Sequence, residues 1–207
     1  MAESREVKAH LANSGRVREL LVPGAVLYLA PAGAPGRKTA FDVQLVEAAG
    51  VLVSADARLP PRLLAERILA SPPDGLAGYD QVSSEVKLGK SRIDLMLSAG
   101  AEKMYVETKS VTLVTDGVGL FPDSPTARGR KHVVELAEAV GPQVRAAVAF
   151  VIQRPDVAAF MINNAADPEF AEALETAHRG GVEVFAFRCA VTPREIRITD
   201  AVPWLRP

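Results

Sequence analysis

Three residues near the middle of the chain, Asp94, Glu107 and Lys109, are of the types that hydrolytic metal sites use. Side chains alternate between the two faces of a β-strand, so Glu107 and Lys109 share one face of the segment 104–109. Asp94 lies on the polar face of the preceding segment, 91–97. If the two segments are neighbouring strands, the three side chains converge on one patch.

The chemistry that this patch predicts is metal-dependent attack on a phosphate. Carboxylates bind hard cations such as Mg²⁺ or Mn²⁺, so Asp94 and Glu107 are the predicted metal ligands. A bound cation lowers the pKa of a water molecule and neutralises charge on a phosphate. Lys109 would position or help to deprotonate the attacking water, or stabilise the transition state. Glu85, on the strand before Asp94, adds a third carboxylate and completes the predicted catalytic set.

The same residues have a second interpretation, as a salt-bridged pair of exposed strands. A glutamate and a lysine two positions apart are common on sheet surfaces, so that pattern alone has little specificity. The upstream Asp94 and the order of elements around it favour the metal site. The strand alternation also predicts that Ile93, Leu95 and Leu97 share the apolar face. The sequence has no Walker, dinucleotide-binding or zinc-ligand spacing that would indicate another kind of site.

Basic residues cluster in three places along the chain, and two of these clusters flank the acidic residues. A solvated surface is the alternative explanation for each cluster. With a net charge of −1 and a pI of about 6.3, the chain is not a strongly basic, non-specific nucleic-acid binder. The nucleic-acid contacts predicted from these clusters are Lys87, Arg92, Arg128, Lys131, His132 and Arg16.

Hydrophobic periodicity and turn signals predict the elements around these residues. The chain up to residue 53 is β-rich, with short strands and tight turns typical of a small barrel. The order after it predicts an α/β fold, with a mixed sheet that carries helices on its faces. Its predicted elements are a helix at 61–70, strands at 82–88, 91–98 and 103–109, a loop at 114–125, a helix at 126–139, a strand at 145–153, a helix at 167–178 capped by Asp167, and strands at 182–187 and 194–198.

Several blocks of sequence, in the same order, resemble the sugar fermentation stimulation protein A (SfsA) family. The longest is SEVKLGKSRIDL at 84–95, which contains Glu85 and Asp94. The resemblance covers nearly the whole chain, and several distinctive blocks in series make it specific. The other blocks are HLANSG at 10–15, LVPG at 21–24, VETKSVTL at 106–113, FPD at 121–123, TARGRKH at 126–132 and GVEV at 181–184.

The resemblance implies a partial OB-like β-barrel at 1–53 and a PD-(D/E)XK nuclease-like domain at 54–207. By position, Asp94 and Glu107 match the metal-binding acids, Lys109 matches the motif lysine, and Glu85 matches an acidic position before them. The implied function is DNA binding with a metal-dependent nuclease activity. The alternative is a non-catalytic, DNA-binding regulator of sugar metabolism of the maltose type.

The chain departs from the family pattern in three places. Family members usually carry a further strand before His10, so we expect the barrel to lack its first strand. Thr108 replaces an apolar residue between Glu107 and Lys109, and its hydroxyl needs a partner if it points into the core. Ser124, Pro125 and Ala127 stand where the family often has Ala, Val and Glu, which leaves one carboxylate fewer near the site.

Other features bear on location and partners. The single cysteine, Cys189, cannot form an internal disulfide, as is usual in a reducing cytoplasm. The polar N-terminus has no signal-peptide pattern, and the longest apolar runs are too short to span a bilayer. We therefore expect a cytoplasmic protein whose partner is nucleic acid, DNA or else RNA, and not a membrane. The oligomeric state is open, with a homodimer as one option.

Overall fold

The computed structural model describes residues 5–33 and 36–206. In these ranges no helix is both long and apolar enough to cross a bilayer. The helices are α1 (Pro60–Ala70), α2 (Ala127–Ala139) and α3 (Pro168–Arg179). The strands are β1 (Ala9–His10), β2 (Val26–Pro31), β3 (Phe41–Ala48), β4 (Val51–Ser54), β5 (Gln81–Leu88), β6 (Ser91–Ala99), β7 (Glu102–Val111), β8 (Val114–Thr115), β9 (Val118–Phe121), β10 (Val144–Ile152), β11 (Ala159–Ile162), β12 (Glu183–Val191), β13 (Ile196–Ala201) and β14 (Trp204–Leu205).

The N-terminal part is an open sheet of β1 to β4 in the described residues, and the prediction of a partial OB-like barrel is confirmed. β3 is its centre: it pairs antiparallel with β2 and β4 and, at its start, parallel with β1. Closing a barrel requires the two outer strands to pair with each other. β2 pairs with β3 alone among the described strands, so the sheet keeps a free edge there.

A six-stranded mixed sheet, in the order β13-β12-β10-β7-β6-β5, is the largest sheet of the fold, and β14, β11, β9 and β8 form a third sheet. β5, β6 and β7 form an antiparallel meander, while β10 runs parallel to both β7 and β12. Alternate residues of β10 belong to two different cores, one under α2 and α3 and one under α1. The predicted α/β fold, with a mixed sheet and helices on both faces, is confirmed.

The N-termini of α2 and α3 are tied together by their caps. The Thr126 side chain accepts the amide of Gly129 at 3.1 Å, and the Asp167 side chain accepts the amide of Phe170 at 2.9 Å. These are the side-chain caps that satisfy free helix amides, and Asp167 was predicted in this role. The second oxygen of Asp167 also accepts the amide of Thr126 at 2.7 Å. The start of α2, which lies beside the predicted site, is therefore fixed from two directions.

The segment predicted as a loop at 114–125 instead contains the hairpin of β8 and β9. Asp116 and Gly117 connect the two strands with positive φ angles of 50° and 75°. Two consecutive left-handed residues make the tight turn whose twist matches a hairpin, and Asp-Gly is a preferred pair for it. The prediction was wrong because the glycines were interpreted as loop residues and the Asp-Gly turn signal was overlooked.

The hairpin of β5 and β6 changes face in its middle, which overturns the prediction that Ile93 shares a face with Leu95 and Leu97. All three are fully buried, but Ile93 packs in the core under α2, and Leu95 and Leu97 pack in the core under α1. The residue pairing between the strands skips Glu85 and Asp94, and Glu85 has a φ of +54°. This local break shifts the alternation of side chains between the two faces of the sheet. It also leaves Asp94 without a paired residue opposite it in β5.

Candidate active site

A cleft of about 510 Å³ lies between the N-terminal part and the six-stranded sheet. The acidic residues Glu85, Asp94 and Glu107 line it, and so does Lys109. The structure therefore brings together all four residues of the predicted catalytic set. The remaining walls come from the loop at 13–17, from the start of α1 and from the segment 120–129.

Asp94 occupies the point at which β6 and β7 separate. The pairing of these strands ends at Leu95 and Val106, one residue before Asp94 and Glu107 would meet. One oxygen of Asp94, Oδ2, accepts the Thr108 amide at 2.8 Å and the Thr108 hydroxyl at 2.6 Å. The partner that Thr108 was predicted to need is thus Asp94, and the two hydrogen bonds from Thr108 hold the carboxylate in position.

The ionised form of Asp94 is unfavourable in this position. Burial raises the pKa of the Asp94 carboxyl above its usual range, and the negative charge of Glu107 raises it further. The two hydrogen bonds from Thr108 lower the pKa and offset part of this effect. Raised carboxyl pKa values from burial and a like charge are a common property of metal-binding and catalytic acids.

Glu107 is almost completely buried, at 4% exposure, and its two oxygens differ in their surroundings. Oε1 accepts two hydrogen bonds, one from Lys109 Nζ at 2.7 Å and one from His132 Nδ1. Oε2 is buried and has no hydrogen-bond partner among the described residues. Burial raises the pKa of Glu107, but the bonds from His132 and Lys109 outweigh it, and the net pKa lies below the usual range.

The two acids fit a divalent cation. Glu107 Oε2 is a buried acceptor without a donor, and Asp94 is hydrogen-bonded at one oxygen only among the described residues. Within the described ranges, no group of three or more His, Cys, Asp or Glu residues is arranged around a metal position. Two carboxylate ligands match Mg²⁺, which keeps several of its water molecules.

Glu85, the third predicted carboxylate, lines the cleft but faces solvent. Its side chain is 73% exposed and pairs with Arg92, which is 68% exposed, at 3.2 Å. An exposed pair of this kind contributes little to stability. The catalytic role of Glu85 therefore stays a prediction, and the acids that are buried in the site are Asp94 and Glu107.

The residues predicted to contact nucleic acid fall into two groups. His132 was predicted to contact phosphates, but its ring is 4% exposed and bonded to Glu107, and it faces the acidic site from α2. The others are exposed, and Arg128, in the first turn of α2, lines the cleft. The exposed members are Arg16, Lys87, Arg92, Arg128 and Lys131.

Asp123 connects the N-terminal part to the cleft, a contact that the sequence did not predict. Its Oδ2 accepts the amides of Arg16 at 2.6 Å and Val17 at 3.2 Å. Val17 is left-handed, with a φ of 37°, and consecutive amides near such a residue form a concave anion site. A Cβ at Gly15 would lie 2.7 Å from Asp123 Oδ2, so the loop needs glycine there. The sequence signal for this contact was indirect, because both segments belong to blocks that resemble the SfsA family.

We expect Asp123→Ala to lower the free energy of unfolding by about 1 to 2 kcal/mol, because two backbone amides lose a charged acceptor. Urea denaturation of the variant and the wild-type protein measures this difference. Asp80→Ala, at an exposed aspartate outside the cleft, is the matched control and should change little. An unchanged unfolding midpoint in Asp123→Ala would show that the contact does not hold the N-terminal part in place.

The fold and the site together define a class of protein. A small OB-type β domain precedes a larger domain built on a mixed sheet with helices on both faces. Residues 58–195 match the sugar fermentation stimulation protein RE domain, and residues 1–55 match the SfsA N-terminal OB domain. The chain belongs to the sugar fermentation stimulation protein family.

Relatives and a solved structure extend this similarity over nearly the whole chain. A sugar fermentation stimulation protein homolog of Moorella thermoacetica is 45% identical over 202 residues, which cover 97% of this chain and 87% of the relative. The homolog of Chloroflexus aggregans is 47% identical over 199 residues, 96% of this chain and 76% of the relative. The structure of Pyrococcus furiosus SfsA in complex with Ca²⁺ matches with a TM-score of 0.88 and 28% identity, covering 98% of this chain and 87% of that one.

Proposed function

We propose that this protein is a nuclease that depends on a divalent cation and cleaves phosphodiester bonds in DNA. The observation that carries the proposal is Glu107 Oε2, a buried carboxylate oxygen without a hydrogen-bond partner among the described residues. Glu107 lines one cleft with Asp94 and Lys109. Leaving such an oxygen unpaired costs free energy, and a bound cation would recover it. The Ca²⁺ complex of the Pyrococcus furiosus relative supports a divalent cation in this family.

Asp94 and Glu107 would hold the cation, Mg²⁺ or Mn²⁺, through Oδ1 and Oε2, which accept no hydrogen bond from the described residues. When bound there, the cation would supply a water molecule of lowered pKa and neutralise negative charge on the phosphate. Thr108 keeps Asp94 in place through its amide and hydroxyl. The two acids thus need little rearrangement to receive the ion.

Lys109 is the positive group of the site. Its side chain is 13% exposed and its ammonium lies 2.7 Å from Glu107, so its charge is held at the acidic centre. Negative charge builds on the phosphate oxygens as the phosphodiester is attacked, and a positioned ammonium stabilises that charge. Arg128, exposed at the N-terminal end of α2, would hold a neighbouring phosphate, where the helix end itself favours anions.

The test is a cleavage assay on labelled double-stranded DNA, single-stranded DNA and RNA, with Mg²⁺, Mn²⁺ or a chelator. We expect cleavage with a cation and none with the chelator. Lys109→Met should reduce the rate by about 100-fold or more, as the loss of one transition-state donor does. Lys103→Met is the matched control, since Lys103 is exposed at the other end of β7, outside the cleft.

Two results would overturn the nuclease activity itself. One is the absence of cleavage of every substrate with either cation, and the other is equal cleavage by the wild-type protein and Lys109→Met. DNA binding that persists without a cation, without cleavage, and that weakens with rising salt would instead support the non-catalytic regulator, because phosphate contacts release counterions. Cleavage of RNA alone would move the substrate from DNA to RNA and contradict the proposal as stated.

A further inference from the structure

His132 and Glu107 form a buried contact between α2 and β7. Both side chains are 5% exposed, and the Nδ1 atom of His132 lies against Oε1 of Glu107. An ionised carboxylate only accepts hydrogen bonds, so His132 must donate from Nδ1. Since the start of α2 is held by Thr126 and Asp167, the histidine reaches Glu107 from a fixed position.

The two donors on Glu107 decide which of its oxygens is free. Lys109 and His132 both donate to Oε1, and no described residue donates to Oε2. A glutamate without these donors could rotate and exchange its two oxygens. With both donors in place, rotation would break two charge-assisted or buried hydrogen bonds at once, and each is costly to lose.

We propose that His132 is a positioning residue, which holds Glu107 so that Oε2 faces the cation. The proposal rests on the proposed function only for the existence of the cation site, and not for turnover. Groups that hydrogen-bond a metal-binding carboxylate from behind orient it, and their loss typically weakens metal binding by about 10- to 100-fold. His132 was predicted to contact nucleic acid, and its burial directs it to the cation site instead.

Two substitutions separate this role from a merely structural one. Asparagine carries its amide nitrogen two bonds from Cβ, as histidine carries Nδ1, whereas glutamine carries it three bonds away, as histidine carries Nε2. His132→Asn can therefore still donate to Glu107 Oε1, and His132→Gln cannot without displacing its neighbours. Asparagine is one methylene smaller than glutamine, so a role in packing alone predicts the larger effect in His132→Asn, the opposite order to that expected for positioning.

The experiment is a titration of the full chain with Mn²⁺ in the absence of nucleic acid, followed by calorimetry or by the signal of free Mn²⁺. We expect His132→Gln to weaken Mn²⁺ binding by about 10-fold or more and His132→Asn to weaken it much less. Thermal unfolding in a chelator measures the packing loss of each variant separately from its cation affinity. His178→Gln is the matched control. His178 lies on α3 outside the cleft, and its ring bonds the backbone oxygen of Val182 after the helix.

Wild-type affinity in both His132 variants would overturn the proposal while leaving the cation site intact. An equal, large loss of affinity in His132→Asn and His132→Gln would also overturn it. If the Gln variant does not fold, a large loss of Mn²⁺ affinity in His132→Asn alone would overturn the proposal. No Mn²⁺ binding by the wild-type protein would overturn the proposal together with the cation site. Mn²⁺ binding with the expected order of affinities, but no cleavage, would leave His132 in its role and remove only the nuclease activity.

Discussion

Asp94→Asn is expected to reduce cation-dependent cleavage by about 100-fold or more. The variant keeps an oxygen that can accept the amide and hydroxyl of Thr108, so the strands at the site should stay in place. It loses the negative charge that would bind the cation, and a bound cation contributes several kcal/mol of transition-state stabilisation. Cleavage rates at a fixed cation concentration measure the effect.

The same variant is expected to be at least as stable as the wild-type protein in a chelator. Burial and the neighbouring charge of Glu107 raise the pKa of Asp94, so its ionised form is unfavourable in the folded state. Removing that charge at neutral pH relieves the repulsion. Loss of activity together with retained or increased stability separates a functional residue from a structural one.

Asp116→Asn is the control for this variant, because Asp116 is an exposed turn residue outside the cleft and asparagine also tolerates its positive φ. It should leave cleavage unchanged. Cleavage by Asp94→Asn at the wild-type rate would contradict the assignment of Asp94 as a ligand. A large loss of stability in Asp94→Asn would show that the carboxylate is needed for folding.

The second large effect is expected for Phe150→Ala, with a loss of about 3 to 5 kcal/mol of unfolding free energy. Phe150 is fully buried, its ring centre lies 4.3 Å from that of Phe160, and it lies 5.3 Å from that of Phe121. Phe121 also contacts Phe170 at 5.3 Å. Domains are typically stable by only about 5 to 15 kcal/mol, so this loss would remove a large share of the total.

This cluster also supports the cleft. Phe121 ends β9 and lies two residues before Asp123, the residue that holds the loop at 13–17. Denaturant unfolding of Phe150→Ala measures its free energy of unfolding. Cleavage at low temperature, where the variant stays folded, tests whether the cleft keeps its shape. Phe185→Ala, a half-buried aromatic position on β12, is the control and should lose less. A change below about 1 kcal/mol in Phe150→Ala would show that the cluster repacks around the gap.

Local rules were enough to predict most of the elements. The helix start at Asp167 followed from capping chemistry, and the strands around Asp94 and Glu107 followed from alternation and turn residues. The mixed sheet followed from the order of these elements. The hairpin at Asp116 could also have been predicted, since the Asp-Gly pair at its turn was visible in the sequence.

Tertiary structure decided the details of the site. The contact of His132 with Glu107 joins residues 25 positions apart, and that of Asp123 with Arg16 joins residues 107 apart. Such contacts depend on how a helix or loop packs on the sheet, and no periodicity in the sequence encodes that packing. The change of face at Asp94 has a similar origin, because it needs the left-handed conformation of Glu85 in the strand beside it.

The sequence by itself determined which side chains were available and the order in which the elements present them. It predicted that Asp94, Glu107 and Lys109 converge, because alternation along a strand is a property of the backbone. Only the tertiary structure decided that one oxygen of Glu107 accepts two hydrogen bonds and the other accepts none from the described residues, because burial and donor positions arise where α2 packs on β7.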